Sequence, residues 1–480
     1  MQRLAVLNVV GLTARVIGAS TPAIGVFRKA GRLARVRPAF PAVTCTAQSN
    51  YLTGRPPVHH GIVANGWYHR ELAEVQFWKQ SNHLVRGPKL WEVLRQAHPG
   101  FTCAKLFWWH NMYSTADYSI TPRPMYPADG RKVFDIYTWP QNIRSAIKRD
   151  LGEFPFPAFW GPAAGVHSPA GKPPAASRWI AESAKWIECH HRPTLSLVYL
   201  PHLDYAFQRH GPPAGGGTAG RQTSQGAEVD NIKNRPLLEI DAIVGDLIRF
   251  FAKREVAVVL LSEYGITPVR GAVHLNRVFR ERGWLTIKEE LGRELLDCGA
   301  CRAFAVVDHQ IAHVYVNDPT ILADVREVVA AQPGVAAVLD ADGKIEHGLN
   351  HPRAGDLVAV AREDAWFSYY YWLDDARAPD FAATVDIHRK PGFDPVELFA
   401  RPDWSPLRLK AHIARRLLQK KLGFRMLMDV IPLDAGLVRG SHGCQPADSL
   451  DWPVVITQQP EFDDGAVLDS TDIFGLLTRR

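Results

Sequence analysis

Several common features are missing from this 480-residue chain. No run of about eighteen or more apolar residues occurs, so no transmembrane helix is predicted. No basic stripe interleaved with aromatic residues occurs, so the net charge of +7 does not indicate a nucleic-acid-binding protein. No internal repeat is visible, which argues against solenoid and propeller folds. The mild positive charge instead fits an anionic small-molecule substrate.

Cysteine is also scarce, with six residues in the whole chain. Cys298 and Cys301 form a lone C-x-x-C, and without a second pair this motif is weak evidence for a zinc or redox site. Reduced thiols are the better interpretation. The N-terminal run MQRLAVLNVVGL lacks the cleavage site of a signal peptide and predicts a buried strand. We therefore expect a cytoplasmic protein, and the sequence does not indicate its oligomeric state.

The pattern of apolar residues indicates a fold class. Apolar runs typical of buried parallel strands occur at residues 4–10, 195–200 and 256–261. Helical patterns occur between and around them, at residues 89–96, 177–189 and 236–253. This alternation predicts an α/β fold, with a doubly wound, mostly parallel sheet and helices on both faces. The core is predicted to comprise residues 1–270 and 346–480.

Residues 271–345 interrupt the alternation. They contain a short strand pattern at 312–316 and a helical pattern at 319–331. We interpret them as an inserted smaller lobe that covers the site like a cap.

A second distinctive segment is the basic, amphipathic stretch at residues 401–430. One helical stripe is apolar and consists of Leu407, Ala411, Ala414, Leu418 and Leu422. The opposite face is basic and consists of Lys410, Arg416, Lys420 and Lys421. The favoured interpretation is a helix packed on the core with a solvated basic face. Peripheral contact with a membrane surface is the less favoured alternative.

The strongest local motif for chemistry surrounds Thr44. Its hydroxyl follows a predicted strand and opens a predicted helix, where backbone N–H groups and the helix dipole favour a phosphate. A threonine nucleophile still needs activation by a base or a metal. From these residues alone, Thr44 and Thr46 are more often helix caps than nucleophiles.

Residues 41–65 resemble the nucleophile region of the nucleotide pyrophosphatase/phosphodiesterases, a branch of the alkaline phosphatase superfamily. The resemblance rests on Thr44, on Thr53-Gly54 and on the following His60-Gly61-Ile62. It implies that Thr44 is the nucleophile. The family has an asparagine three residues after the nucleophile, whereas this chain has Ala47, so one donor to the phosphoryl oxygens is missing.

The same resemblance implies divalent metal ions, with zinc as the expected ion. The positions that match the first metal site of the family are Asp204, Gln208 and His442. The positions that match the second site are Val10, Thr44, Glu263 and Tyr264. Two carboxylates and one histidine are therefore retained, whereas an amide, a phenol and an apolar residue replace the other ligands. The sequence predicts one ion, and a second site is doubtful.

Other residues could substitute for the missing ligands. Asp386 and His388 are predicted to share a strand face, and Arg389 and Lys390 could clamp an anion. The alternative interpretation is a surface loop with internal ion pairs. Asp308, His309 and His313 form a further cluster, which is interpreted more readily as ordinary core or surface residues.

The leading functional hypothesis is a hydrolase that cleaves a phosphodiester, phosphoanhydride or related bond through Thr44. The loss of several family ligands leaves a second hypothesis open, a ligand-binding pseudoenzyme with the same fold. A phosphomutase or phosphonate hydrolase is a third possibility, because related families share the scaffold.

Overall fold

The polypeptide folds around a nine-stranded sheet. This computed structural model describes every residue except 1, 130–131, 167–173, 214–223, 461 and 480, and it describes only the backbone of 224–231. The strands are Leu4–Val9 (β1), Arg32–Arg37 (β2), Gly66–His69 (β3), Glu74–Phe77 (β4), Cys103–Leu106 (β5), Tyr118–Pro122 (β6), Ile136–Trp139 (β7), Leu195–Leu200 (β8), Ala257–Leu261 (β9), Thr267–Pro268 (β10), Gly271–Val273 (β11), Ile287–Glu290 (β12), Arg293–Leu296 (β13), Ala303–Asp308 (β14), Ile311–Val316 (β15), Val335–Leu339 (β16), Leu357–Ala361 (β17), Ala365–Phe367 (β18), Gly440–Ser441 (β19), Val454–Thr457 (β20) and Val467–Asp469 (β21).

Fourteen α-helices accompany these strands in the described part of the chain. They are Pro22–Lys29 (α1), Thr44–Thr53 (α2), Pro57–His60 (α3), Leu90–Ala97 (α4), Asn142–Leu151 (α5), Phe156–Phe159 (α6), Ala175–His191 (α7), His202–His210 (α8), Ser224–Ala252 (α9), Leu275–Glu281 (α10), Leu322–Ala330 (α11), Ala341–Glu346 (α12), Pro406–Lys421 (α13) and Asp472–Thr478 (α14). None of the helices, within the residues described, is long and apolar enough to cross a membrane.

The central sheet has the order β21-β2-β20-β9-β1-β8-β5-β6-β7. Strand β1 lies in the middle, with β8 and β9 parallel to it on either side. Strand β5 pairs in parallel with β8 and β6, whereas β20 runs antiparallel to its neighbours β2 and β9. All residues of β1 and β8 are buried, as expected for strands covered on both faces. The predicted α/β class with a mostly parallel sheet is confirmed.

The sheet topology brings the sequence motifs to one edge. Strands β1, β8 and β9 are mutually parallel, so the segments that follow them share the edge formed by their carboxyl ends. Helix α8, which contains Asp204, follows β8, and Glu263 and Tyr264 follow β9. Thr44 begins α2, which follows β2. This edge is therefore where the fold places the candidate site.

A second hydrophobic core lies outside the central sheet. Its centre is a four-stranded sheet in the order β14-β15-β17-β16, in which every pair is antiparallel. The predicted strand at 312–316 corresponds to β15, and the predicted helix at 319–331 corresponds to a 3-10 turn followed by α11. Strand β17 extends this sheet beyond residue 345, and the division of the chain at 271–345 stays a prediction.

Helix α13 has the predicted position, but the predicted packing of its apolar stripe on the core is wrong. Leu407, Leu418 and Leu422 on that stripe are 78%, 55% and 64% exposed. A different stripe, with Leu409 and Ile413, packs against the second hydrophobic core. The helix carries two apolar stripes, and the protein buries only the second.

Candidate active site

Helix α2 presents Thr44 at its first turn. All ten residues of this helix are buried, and it ends at Gly54, whose left-handed backbone (φ 65°) is readily adopted by glycine. The turn before Thr44 is held by the segment around His442: Ala42 N–H donates to the Gly443 carbonyl (2.9 Å), and His442 Nδ1 lies 2.7 Å from the Ala42 carbonyl. Two distant parts of the chain thus fix the threonine at the positive end of a helix.

The phenol of Tyr264 lies between Thr44 and Asp204. Its hydroxyl is 2.9 Å from Thr44 Oγ1 and donates to Asp204 Oδ1 at 3.4 Å. The Tyr264 ring stacks on His442 with a centroid distance of 3.6 Å and an interplanar angle of 11°. His442 Nε2 lies 3.4 Å from Asp204 Oδ1. The structure therefore brings together four of the residues singled out in the sequence.

Glu263 lies beside this group in a fully buried position. Its Oε1 accepts hydrogen bonds from Asn8 and from Gln48, the latter at 2.6 Å, while Oε2 has no partner among the described residues. Burial raises the pKa of Glu263 to about 8, although the hydrogen bonds from Gln48 and Asn8 oppose the shift. The carboxyl group is therefore largely protonated near neutral pH.

His309 belongs to the site, although the sequence favoured an ordinary core or surface role for its cluster. Its ring stacks on Phe393 at 3.6 Å and lies 3.7 Å from the ring of His442. Asp308 Oδ1 lies 2.8 Å from His309 Nδ1. Burial, together with the neighbouring His442, holds the pKa of His309 well below its usual value. The signal was present in the adjacent Asp308 and His309, but only the fold brings β14 to this edge.

The donor atoms present do not fit the two-metal centre that the resemblance implies. Asp204 and His442 face each other, but Tyr264 fills the space between Asp204 and Thr44. Gln208 is buried, and both its amide atoms lack partners within the described chain. No group of three or more His, Cys, Asp or Glu side chains able to hold a metal ion occurs in the parts of the chain that the structure describes.

A cavity of about 530 Å³ opens onto Thr44. Its walls are mainly aromatic and apolar, and its polar lining includes side chains around Thr44 as well as Lys132, His388 and Lys420. The residues nearest the chemistry are Thr44, Tyr199, Asp204, Tyr264 and His309. The aromatic walls include Trp78, Trp109, Phe159, Trp160 and Phe393, and α13 contributes Leu409, Ile413 and Leu417. The site is thus a polar end on an apolar chamber, as in many small-molecule sites.

The proposed substitute ligands lie in a segment of turns, so the predicted strand face for Asp386 and His388 is wrong. Proline and glycine at 391–392 favour turns over a continuous strand. His388 lines the cavity, with Nδ1 3.2 Å from the Phe77 carbonyl. Arg389 pairs with Asp380 (3.0 Å) at the surface. Lys390 is buried among acidic side chains and therefore does not face a ligand.

Comparison with known proteins identifies the family. A sequence profile described as type I phosphodiesterase / nucleotide pyrophosphatase matches residues 4–394. The chain belongs to this family. The match spans β1, the Thr44 turn, α8 and the segment after β9, and so agrees with the resemblance found from the motifs. No curated protein sequence matches the chain.

Solved structures of family members and relatives share the fold. Murine ectonucleotide pyrophosphatase/phosphodiesterase 5 is 14% identical, with a TM-score of 0.55 over 100% of this chain and 94% of the murine chain. Phosphonoacetate hydrolase from Sinorhizobium meliloti 1021, solved with phosphonoformate, is 15% identical, with a TM-score of 0.54 over 100% and 96% of the two chains. These proteins share the fold of this chain. The matching family, described as phosphodiesterases and nucleotide pyrophosphatases, does not favour the pseudoenzyme alternative.

Proposed function

We propose that the protein hydrolyses a phosphodiester, phosphoanhydride or related bond, with Thr44 as the nucleophile. The main support is the position of the Thr44 hydroxyl, which lies at the first turn of α2, on the wall of the cavity and 2.9 Å from the Tyr264 hydroxyl. Asp204 and His442 lie immediately behind this phenol. A hydroxyl at a helix N-terminus is well placed to meet a phosphoryl group.

The proposed reaction has two displacement steps. In the first, Thr44 Oγ1 forms a bond to phosphorus, the bond from phosphorus to the leaving group breaks, and the leaving group takes up the proton that Thr44 gives up. The proton of the threonine passes towards Tyr264 and Asp204, which are linked to it by hydrogen bonds. In the second step, water displaces Thr44 from phosphorus and restores its hydroxyl. The positive end of α2 stabilises the phosphoryl oxygens during both steps.

Unpartnered buried atoms support an anionic ligand with several polar contacts. His309 Nε2, on the cavity wall, and both amide atoms of Gln208 are buried without hydrogen-bond partners among the described residues, and His442 Nε2 has only the 3.4 Å approach to Asp204 Oδ1. Such atoms are costly unless a ligand or water satisfies them. The apolar walls of the cavity fit an aromatic or aliphatic group attached to the phosphorus-containing end. No nucleic acid is proposed as a partner.

The comparisons suggest which substrates to test first. An inactive variant of the murine relative was solved with AMP, and the bacterial relative was solved with phosphonoacetate as well as phosphonoformate. A panel of a nucleotide phosphodiester, a dinucleotide pyrophosphate, p-nitrophenyl phosphate and phosphonoacetate separates cleavage of phosphodiester, phosphoanhydride, phosphomonoester and carbon–phosphorus bonds. We expect the first two to be turned over fastest. Preferential cleavage of phosphonoacetate would replace this proposal by a phosphonate hydrolase.

If Asp204 and His442 hold a metal ion, we propose that this ion is zinc. The reaction steps above are assigned to side chains of this chain only. Elemental analysis of the purified protein, followed by the same panel with and without added zinc, manganese or magnesium, tests this part separately.

The covalent intermediate provides the decisive experiment. Rapid acid quenching during turnover, followed by peptide mass spectrometry, should detect a phosphoryl group on Thr44. Turnover with the label on another residue would refute the assignment of the nucleophile. Absence of turnover with every substrate and every metal would instead favour the ligand-binding alternative.

A further inference from the structure

The outward face of α13 is an amphipathic surface that the described protein leaves uncovered. Its apolar stripe consists of Leu407, Ala411, Ala414, Leu418 and Leu422, all of which are exposed. The stripe continues past the helix to Phe424, which is 66% exposed. At 3.6 residues per turn, these five helical positions fall within less than a quarter of the helix circumference. Apolar side chains in such a row are not expected to face water without a partner.

Basic side chains border this stripe on both sides. Arg408 and Arg415 lie along one border. Lys410 and Lys421 lie along the other, so their predicted place on the face opposite the stripe is wrong: only Arg416 and Lys420 lie on the far side of the helix. None of the four border residues has a carboxylate partner among the described residues, whereas Arg416, on the inward side, pairs with Asp429. The segment from Ser405 to Arg425 contains no acidic residue. The outward face thus combines apolar and cationic groups with no opposing charge.

The inward face of the same helix belongs to the cavity. Leu409, Ile413 and Leu417 line the chamber that opens onto Thr44. Leu409 and Ile413 also pack against the second hydrophobic core, and the pairing of Arg416 with Asp429 anchors the helix to the following segment. The helix is therefore held on the protein by one face while the other remains available.

We propose that α13 docks the protein on the surface of an anionic lipid bilayer. A leucine stripe flanked by lysine and arginine is the pattern of a helix that lies in the interface, with apolar side chains among the acyl chains and cations at the headgroups. Anionic lipids supply the negative charge that the protein itself does not provide here. Docking in this orientation places one wall of the cavity at the lipid surface. The inference does not depend on the proposed hydrolysis.

Co-sedimentation of the full chain with vesicles tests the docking. We expect binding to vesicles of phosphatidylcholine mixed with phosphatidylglycerol, weak binding to phosphatidylcholine alone, and loss of binding at high salt, because salt screens the charges. Lys410→Gln with Lys421→Gln should weaken binding about fivefold per charge. The exposed pair Lys29→Gln with Lys253→Gln, which removes the same charge elsewhere, should leave binding unchanged.

The apolar stripe needs its own variants. Leu407→Glu with Leu418→Glu should reduce vesicle binding by roughly tenfold or more. The matched control is Leu72→Glu with Leu291→Glu, two leucines that are exposed elsewhere on the protein, and it should bind like the unmodified chain. Circular dichroism and thermal melting of each variant confirm that the fold is retained.

Three results would overturn the proposal. The first is equal binding of all variants, or no binding to anionic vesicles. The second is binding to duplex DNA, but not to vesicles, in a gel-shift assay. The third is a dimer in solution that becomes a monomer in the variant Leu407→Glu with Leu418→Glu, while vesicle binding is unchanged. That result would assign this face to a second copy of the chain.

Discussion

The turn at Thr44 and the segment 384–397 both bring charged and polar side chains together, but they differ in how hydrogen bonds are satisfied. Around Thr44, His309 Nε2 on the cavity wall has no hydrogen-bond partner in the described chain, and His442 Nε2 has only the 3.4 Å approach to Asp204 Oδ1. In the other segment, the Lys390 ammonium lies 2.7 Å from carboxylate oxygens of both Asp394 and Glu397.

The difference separates a site for a ligand from an internal ion cluster. Burial opposes the charge on Lys390, but Asp394 and Glu397 outweigh it and raise the pKa of the lysine. The ion pairs within the cluster satisfy the ammonium and both carboxylates, so the cluster needs no ligand. The Thr44 site instead keeps a buried atom without a hydrogen-bond partner, His309 Nε2, on the wall of a cavity. Buried polar groups normally have hydrogen-bond partners, so a buried group without one at a cavity wall indicates a place where a ligand binds.

The largest expected effect is on substrate turnover at the Thr44 site. Thr44→Ala should reduce kcat by at least about a thousandfold, since it removes the attacking oxygen, and it should leave the melting temperature nearly unchanged. The matched control is Thr46→Ala on the same helix, which removes a hydroxyl that donates to the Ile62 carbonyl. This variant should retain most activity. Equal activity of the Thr44 variant and the unmodified protein would refute the role of Thr44.

The second prediction concerns stability in the ion cluster. Lys390→Met should lower the free energy of unfolding by about 3–5 kcal/mol, because two buried carboxylates lose their common cation. Arg389→Gln removes the adjacent charge, which is 52% exposed and pairs with the partly buried Asp380, and should cost about 0–1 kcal/mol. Urea denaturation of both variants measures the contrast. Equal costs would show that the two cations are equivalent.

The third prediction tests the Tyr264 hydroxyl at the Thr44 site. Tyr264→Phe should lower kcat by roughly tenfold to a hundredfold, because Thr44 loses its link to Asp204. Tyr264→His restores the residue type that the family has at this position and should increase zinc retention, measured by elemental analysis after dialysis. Tyr205→Phe, at another tyrosine of the cavity wall, is the control. A fully active phenylalanine variant would exclude a role for this hydroxyl.

The smallest expected effect concerns a buried lysine that belongs to neither region. Lys105 donates to the carbonyls of Trp109 and His110 at 2.7 and 2.9 Å, and burial lowers its pKa to about 7. Between this value and the usual pKa near 10.5, the unfolded chain binds more protons than the folded protein, so stability rises with pH. From pH 7 to pH 8 the gain should be about 1 kcal/mol.

Denaturation at several pH values, compared with Lys105→Met, isolates this contribution. The variant should lack the increase in the free energy of unfolding with pH that Lys105 causes in the unmodified protein. The same slope in both proteins would mean that Lys105 remains charged in the folded state.

The sequence by itself determined the fold class and most candidate residues of the site. The apolar runs of β1, β8 and β9 and the polar residues after them required a parallel sheet with one functional edge, because these patterns are local. The motif order, from Thr44 to His442, was sufficient to indicate the family.

Only the tertiary structure decided which of these residues meet and what surrounds them. The insertion of Tyr264 between Thr44 and Asp204, and the approach of His309 to His442, depend on packing between segments far apart in the chain. The helical pattern of α13 likewise contained two apolar stripes, and periodicity could not tell which one the protein would bury. Contacts between distant segments are set by the whole fold, so no local pattern specifies them.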